Sequence, residues 1–273
     1  MVFGERTFSG QTPGIANANI DGRLVLRPYG TFPHPNVLAG YLTIVLTMVI
    51  SNLQFPISNK IKIFFIATLV LGTIGVFLTM SRITIALWVF MLVYWIVIYL
   101  KKQRKIYLLI VLVLICLLGY RVISFTPLLS RFTSMTTTDE SVQYRYRLNL
   151  AAIEMVRSSP LLGVGLNNFL VRLPEFYAEK HAPRFLWLQP AHNIYLLIAA
   201  EVGIPGLIFF LWFVGKTFQR IKEKQFSMHN SKFTSLFTVL FLGLFDHYFL
   251  TLQQGQLLLA LVLGLCWIKQ GKH

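Results

Sequence analysis

Residues Ile61–Met80 read IKIFFIATLVLGTIGVFLTM, twenty residues whose one charge, Lys62, sits at the second position. A helix rising 1.5 Å per residue covers about 30 Å in that length, the thickness of a bilayer's hydrocarbon core. The run therefore predicts a membrane-spanning helix. Working outward, comparable runs cover about Val37–Phe55, Ile83–Leu100, Ile106–Ile123, Ile194–Val214, Phe233–Leu250 and Leu252–Ile268, which makes seven. The boundary between the last two is the weakest, because Gln253, Gln254, Gly255 and Gln256 interrupt it and a re-entrant hairpin is the alternative there. The expected fold is all-α: a polytopic transmembrane helical bundle of about seven spans with a large extracytoplasmic loop. Composition agrees, with 55% hydrophobic and 13% charged residues. The excess of 25 Lys+Arg over 10 Asp+Glu would suggest nucleic acid in a soluble chain, but this apolar content leaves no soluble surface to carry it. Cys116 and Cys266 both lie inside apolar runs, so they build neither a disulfide framework nor a thiolate metal site.

Orientation follows from the bias of basic residues toward the cytoplasm. Under strict alternation, Lys60/Lys62, the cluster Lys101 to Lys105, the Lys216–Lys232 loop and the Lys269/Lys272 tail share one side, the cytoplasmic one. The division is then an extracytoplasmic segment 1–36, four spans over 37–123, a long extracytoplasmic loop 124–191 with amphipathic helices, and about three spans plus a short cytoplasmic tail over 192–273. Eleven of twelve lysines fall inside, Lys180 being the exception, while the outside segments carry arginine. Arginine's planar fork suits bidentate phosphate or carboxylate recognition, whereas lysine is a point charge. An outside amino terminus with no apolar leader predicts further spans upstream of Met1, so that the chain is an incomplete fragment. The orientation has a direct test: a cysteine at Ser134 labels from outside in intact cells and one at Gln103 does not, and the opposite pattern reverses it.

Four segments carry candidate chemistry, all on the outer face. Arg27-Pro28-Tyr29-Gly30-Thr31-Phe32-Pro33-His34-Pro35-Asn36 leads into the first span, and the prolines around His34 stiffen the entry and place Asn36 near the helix N-cap. Thr79-Met80-Ser81-Arg82 joins two apolar runs, and Arg82 there is an interfacial anchor or a ligand for an anion. Tyr144 to Arg157 has apolar residues at helical spacing and opens with Arg145 and Arg147, which reads as an amphipathic helix lying on the outer interface. Finally, Pro190-Ala191-His192-Asn193 re-enters the bilayer, with Glu201 roughly 13 Å further along the same helix. Histidine titrates near neutrality and is the commonest general base, and His192 can face arginines from the other segments.

In this order the segments resemble the O-antigen ligase family, over about Arg27 to Ile268: Arg-x-x-Gly-x-Phe-x-His-Pro-Asn, a Thr-x-Ser-Arg turn, an Arg-led helix closing in Pro160-Leu161-Leu162-Gly163-Val164-Gly165-Leu166-Asn167-Asn168-Phe169, then His192-Asn193-x-Tyr195-Leu196 and Glu201-x-Gly203. The resemblance is to the carboxy-terminal half of the family's chains. It departs at Asn149, where members often carry Trp four residues after the arginine, so either Arg145 or Arg147 is the family arginine, with Arg145 favoured by counting back from Pro160. The resemblance implies a glycosyltransferase, ligase or repeat-unit polymerase, of the bacterial inner membrane. It would act on the extracytoplasmic face, moving a glycan from an undecaprenyl pyrophosphate-linked donor to a hydroxyl of a glycan or glycolipid acceptor, without metal or other cofactor. Lipopolysaccharide and related cell-envelope polysaccharides are the implied products. His192, Arg145 and Arg82 are the implied catalytic residues, and Arg27, His34, Asn36, Arg147, Asn193 and Glu201 the implied substrate-binding ones. The lipid-linked donor, the acceptor and the bilayer are its partners, and nucleic acid is not. The competing reading is an inner-membrane solute or ion transporter, which Asp246-His247 inside an apolar run would fit, although a buried polar pair between helices accounts for these two residues as well.

Overall fold

The computed structural model describes residues 16–20, 23–53, 55, 57–103, 140–177, 189–222 and 226–268. It is mostly helical. A two-stranded antiparallel hairpin, β1 (Asn17–Ile20) and β2 (Arg23–Leu26), pairs Asn17 with Leu26 and Ile20 with Arg23. This hairpin lies within the segment 1–36 expected to be extracytoplasmic, for which no strand was expected. Helices α1 (Pro35–Asn52), α2 (Asn59–Leu78) and α3 (Arg82–Gln103) follow. Next come α4 (Glu140–Ser158), α5 (Phe169–Phe176) and α6 (Ile194–Lys222). The chain ends in α7 (Phe226–Leu242), α8 (Tyr248–Thr251) and α9 (Gln253–Trp267).

Three helical stretches, Pro35–Asn52, Asn59–Leu78 and Ile194–Ile221, are long and apolar enough to cross a membrane, and Arg82–Ile98, Ser231–Leu242 and Gln253–Trp267 are shorter apolar helices. Six of the seven apolar runs thus fall on helices, and Ile106–Ile123 lies outside the described residues. One run is not a single helix. Phe233–Leu250 breaks after Leu242, and the chain stays non-helical from Gly243 to His247. The cause is tertiary: the carbonyls just after α7 find partners on other elements. Gly243 O accepts Ile194 N at 2.8 Å, Leu244 O accepts Asn193 Nδ2 at 3.2 Å, and Phe245 O accepts Arg145 Nη1 at 3.2 Å. Orphan carbonyls at a helix C-terminus need donors, and a guanidinium also suits the negative end of the dipole.

Two apolar clusters hold the helices. The larger joins α1, α2, α3, α7 and α9 through buried Ile44, Leu46, Leu69, Trp88, Leu236 and Val262. Within it Trp88 Nε1 donates to Thr73 Oγ1 at 3.2 Å, which lets an indole sit fully buried between α2 and α3. Thr47 and Thr238 return their hydroxyls to carbonyls four residues back, at 2.7 Å each, so small polar side chains can face neighbouring helices without an unmet donor. The smaller cluster seats α4 on α6. Leu148, Ala151, Ala152 and Met155 recur at i, i+3, i+4 and i+7 and meet Leu197 and Ala200, with Phe169 and Leu173 of α5 alongside.

Candidate active site

Five helix ends meet at one end of the bundle: the starts of α1, α3 and α6 and the finishes of α2 and α7. Between them lies a cavity of about 150 Å³ lined by Arg27, Asn36, Arg82, Arg145, Asp246 and Tyr248, among others. The α2–α3 turn that shapes one wall is tight. Met80 takes a positive φ of 54°, an uncommon conformation for a non-glycine residue. Thr79 braces that turn, its Oγ1 donating to Val76 O at 2.6 Å and accepting Ser81 N at 3.3 Å.

A hydrogen-bonded relay crosses the site. Arg27, delivered by β2 and only 8% exposed, donates from Nε to Thr79 O at 2.9 Å and from Nη2 to Asn36 Oδ1 at 2.8 Å. Asn36 Nδ2 then donates to Asp246 Oδ2 at 3.0 Å. The other carboxylate oxygen accepts His247 N at 2.9 Å and lies 3.4 Å from His192 Nδ1. That last separation exceeds a well-formed hydrogen bond, and His192 Nδ1 is buried with no hydrogen-bond partner among the described residues. His192 Nε2 points the other way, 3.2 Å from Gln189 Oε1. The imidazole thus stands between a carboxylate and a side-chain amide, with the His247 ring edge-on at 4.9 Å.

Electrostatics divide the titratable groups. Burial would raise the Asp246 carboxyl, but the neighbouring His192 imidazole and the Arg145 guanidinium outweigh it and hold the group well below the usual carboxylate range. Asp246 is therefore an anion across the neutral range. His34 is lowered to about 4, first by burial and then by Arg27 and Arg145, against the pull of Asp246. His247 is lowered to about 4 by burial, with His192 and Arg145 adding to it. Both are neutral near pH 7.

The residues singled out from sequence separate into two groups. Arg82 and Arg145 line the cavity, with His192 set behind Asp246. Arg145 rather than Arg147 is the arginine on that wall; two residues along a helix turn the side chain by about 200°. The second group builds the frame. His34 is the N-cap of α1, its Nδ1 accepting Asn36 N at 3.1 Å, with Pro35 opening the helix and Asn36 near the cap. Asn193 caps α6, its Oδ1 accepting Tyr195 N at 2.9 Å and Leu196 N at 3.1 Å while Nδ2 holds Leu244 O. Glu201 accepts the first N–H of α5, from Phe169 at 3.2 Å. Arg27, Asn36, Asn193 and Glu201 all meet partners inside the protein, and Arg27 and Asn36 also line the cavity. Asp246, read from sequence as a transport feature or as one of a buried polar pair between helices, lines the cavity beside His192.

A donor set for a cation is also present. Ligand atoms of His192, Asp246 and His247 lie within 4.8 Å of one another among the described residues, a nitrogen and oxygen set of the kind zinc accepts. It fits poorly, however. Asp246 Oδ2 is taken by Asn36, His247 Nδ1 meets Thr251 Oγ1 at 2.6 Å, and the permanent charge of Arg145 acts on both Asp246 and His247. A wall of arginines recruits anions.

The O-antigen ligase family model matches residues 67–211, which include Arg82, Arg145 and His192. No curated protein matches the chain. The match covers more than half of the sequence and contains Arg82, Arg145 and the histidine beside the buried carboxylate, and so the chain belongs to the O-antigen ligase family, whose members are membrane glycosyltransferases of the ligase or polymerase type.

Proposed function

We propose that the protein transfers a glycan from undecaprenyl pyrophosphate to an acceptor hydroxyl at the extracytoplasmic face of the bacterial inner membrane. The observation that carries this reading is the convergence of Arg27, Arg82 and Arg145 on one cavity whose single carboxylate among the described residues, Asp246, is backed by His192. Three guanidinium groups around one anionic side chain leave net positive charge where a pyrophosphate leaving group gains negative charge. The acceptor hydroxyl takes the place that Gln189 Oε1 holds next to His192 Nε2. The imidazole accepts its proton, the freed oxygen attacks the anomeric carbon, and the bond from that carbon to the pyrophosphate oxygen breaks with its electrons going to phosphate. Asp246 stabilises the imidazolium, and Arg82 and Arg145 stabilise the departing pyrophosphate.

The orientation rests on where the lysines stand. Lys60 and Lys62 open α2, Lys101 and Lys102 close α3, and Lys216 lies in the last third of α6, each toward the opposite end of its helix from the cavity. Basic ends face the cytoplasm, so the cavity faces out. A transporter would offer the unpaired backbone of a broken helix to its substrate. In α6 the helix does break, at Gly203, but its freed carbonyls are taken by the loop after α4.

The test is a reconstituted transfer assay with undecaprenyl pyrophosphate-linked glycan and level-matched protein. Arg145→Lys keeps the charge but loses the fork, and is expected to cost on the order of a few kcal/mol of transition-state stabilisation, about 10²-fold in kcat/KM. Full activity in Arg145→Lys would reduce the arginine to a general electrostatic role.

A further inference from the structure

α6 breaks at Gly203, where φ is 81° and ψ 176°, and Pro205 follows within the turn. Proline has no N–H, so Glu201 O loses its helical donor, and Ile204 N leaves Ala200 O to donate to Pro160 O at 2.8 Å. Both abandoned carbonyls are claimed by the loop between α4 and α5: Ala200 O accepts Val164 N at 2.8 Å and Glu201 O accepts Gly165 N at 3.0 Å. The loop also closes on itself, with Gly163 N donating to Ser159 O at 2.9 Å and Ser159 Oγ to Gly163 O at 2.8 Å. The approach is so close that a β-carbon at Gly163 would sit 2.4 Å from the Glu201 carbonyl carbon, and one at Gly203 2.4 Å from Leu161 O.

Val164 N, Gly165 N and Pro160 O of this irregular segment are paired to a span, which reduces the number of its backbone groups that need water. Its side chains suit hydrocarbon. Leu161, Leu162 and Leu166 are 71%, 82% and 79% exposed, beside Ile204 and Ile208 on the outward face of a helix long and apolar enough to span the bilayer. In water, three such leucines would each forgo roughly 1.5–3 kcal/mol of burial. Their depth is set by register. Ala200, to which the loop is bonded, is six residues past Ile194, or roughly 9 Å along α6 from the cavity end.

We propose that the 159–168 loop is a membrane-inserted shelf: Leu161, Leu162 and Leu166 enter the acyl-chain layer beside Ile204 and Ile208, with the bilayer itself as the partner. The shelf holds α4, and with it Arg145, at a fixed height over the lipid from which a polyprenyl donor's headgroup emerges.

The test places an environment-sensitive nitrobenzoxadiazole label on Leu162→Cys, and separately on Leu166→Cys. The background is Cys116→Ala/Cys266→Ala, and the full chain is reconstituted in phosphatidylcholine–phosphatidylglycerol vesicles. Both side chains point away from the protein, so the substitutions leave the core untouched, and monodisperse elution before reconstitution verifies the fold. The expected result is blue-shifted emission at both positions, quenched by doxyl groups on the acyl chains and insensitive to aqueous iodide. Emission at the wavelength found in water, with iodide quenching and no doxyl effect, overturns the shelf. Because the vesicles hold only this protein and lipid, a surface meant for a protein partner gives that second result.

Discussion

His192→Ala leaves an inserted, folded protein that transfers no measurable glycan. The argument runs through both faces of the ring. Nδ1 is buried 3.4 Å from the Asp246 carboxylate, and Nε2 faces Gln189 at 3.2 Å in the position an acceptor hydroxyl would take. Alanine removes the base and keeps the frame, because α6 is capped by Asn193 and fastened by Ile194 N to Gly243 O, neither of which involves the imidazole. General-base assistance is worth about 10²–10⁴-fold, which puts the residual rate below ordinary detection. Transfer in purified, level-matched protein is the measurement, with donor binding followed separately. A structural histidine predicts the reverse pattern, lower protein yield with normal turnover per molecule, and an active His192→Ala enzyme removes the mechanism.

Asp246→Asn is expected to lower kcat by about 10²-fold or more while leaving KM for the lipid-linked donor nearly unchanged. The amide keeps the shape and one acceptor for Asn36 or His247 N, but it loses the charge that stabilises an imidazolium. Asn36→Ala is the control. It breaks the same brace, leaves the carboxylate beside His192, and should cost markedly less in kcat. Equal losses in the two variants, or a change confined to KM, would show that Asp246 only holds the frame.

The helices of the bundle were legible because an apolar run of bilayer length has few other uses, and α4 because Leu148, Ala151, Ala152 and Met155 keep helical spacing in an otherwise polar stretch. The hairpin was passed over, although an Asp-Gly pair at Asp21-Gly22 between β1 and β2 is a recognised hairpin signal. The prolines and asparagines around it drew the eye to loop character. The break at Gly243–His247 had no local cue strong enough to interrupt Phe233–Leu250, since its cause is tertiary: donors from Asn193, Ile194 and Arg145 pull three successive carbonyls out of the helix. That Asp246 is buried and bonded to another helix agrees with the buried polar pair expected from sequence, but its neighbour His192 was not legible there. Its meaning depends on an imidazole far back in the chain, and spacing alone does not bring the two together. Glu201, an acidic residue in an apolar helix, accepts the first N–H of α5, a contact that its place in α6 does not reveal.

Those three carbonyls, from residues 243 to 245, also bear on how the enzyme is made. A ribosome delivers the arginines and the histidine first and the clamp that seats them last. Until the segment after α7 emerges, Arg145 and Asn193 lack these acceptors and His192 lacks the carboxylate beside it, so the cavity is completed late in synthesis. A chain that ends before Gly243 would leave Asn193 Nδ2 and the Arg145 guanidinium without these carbonyl acceptors.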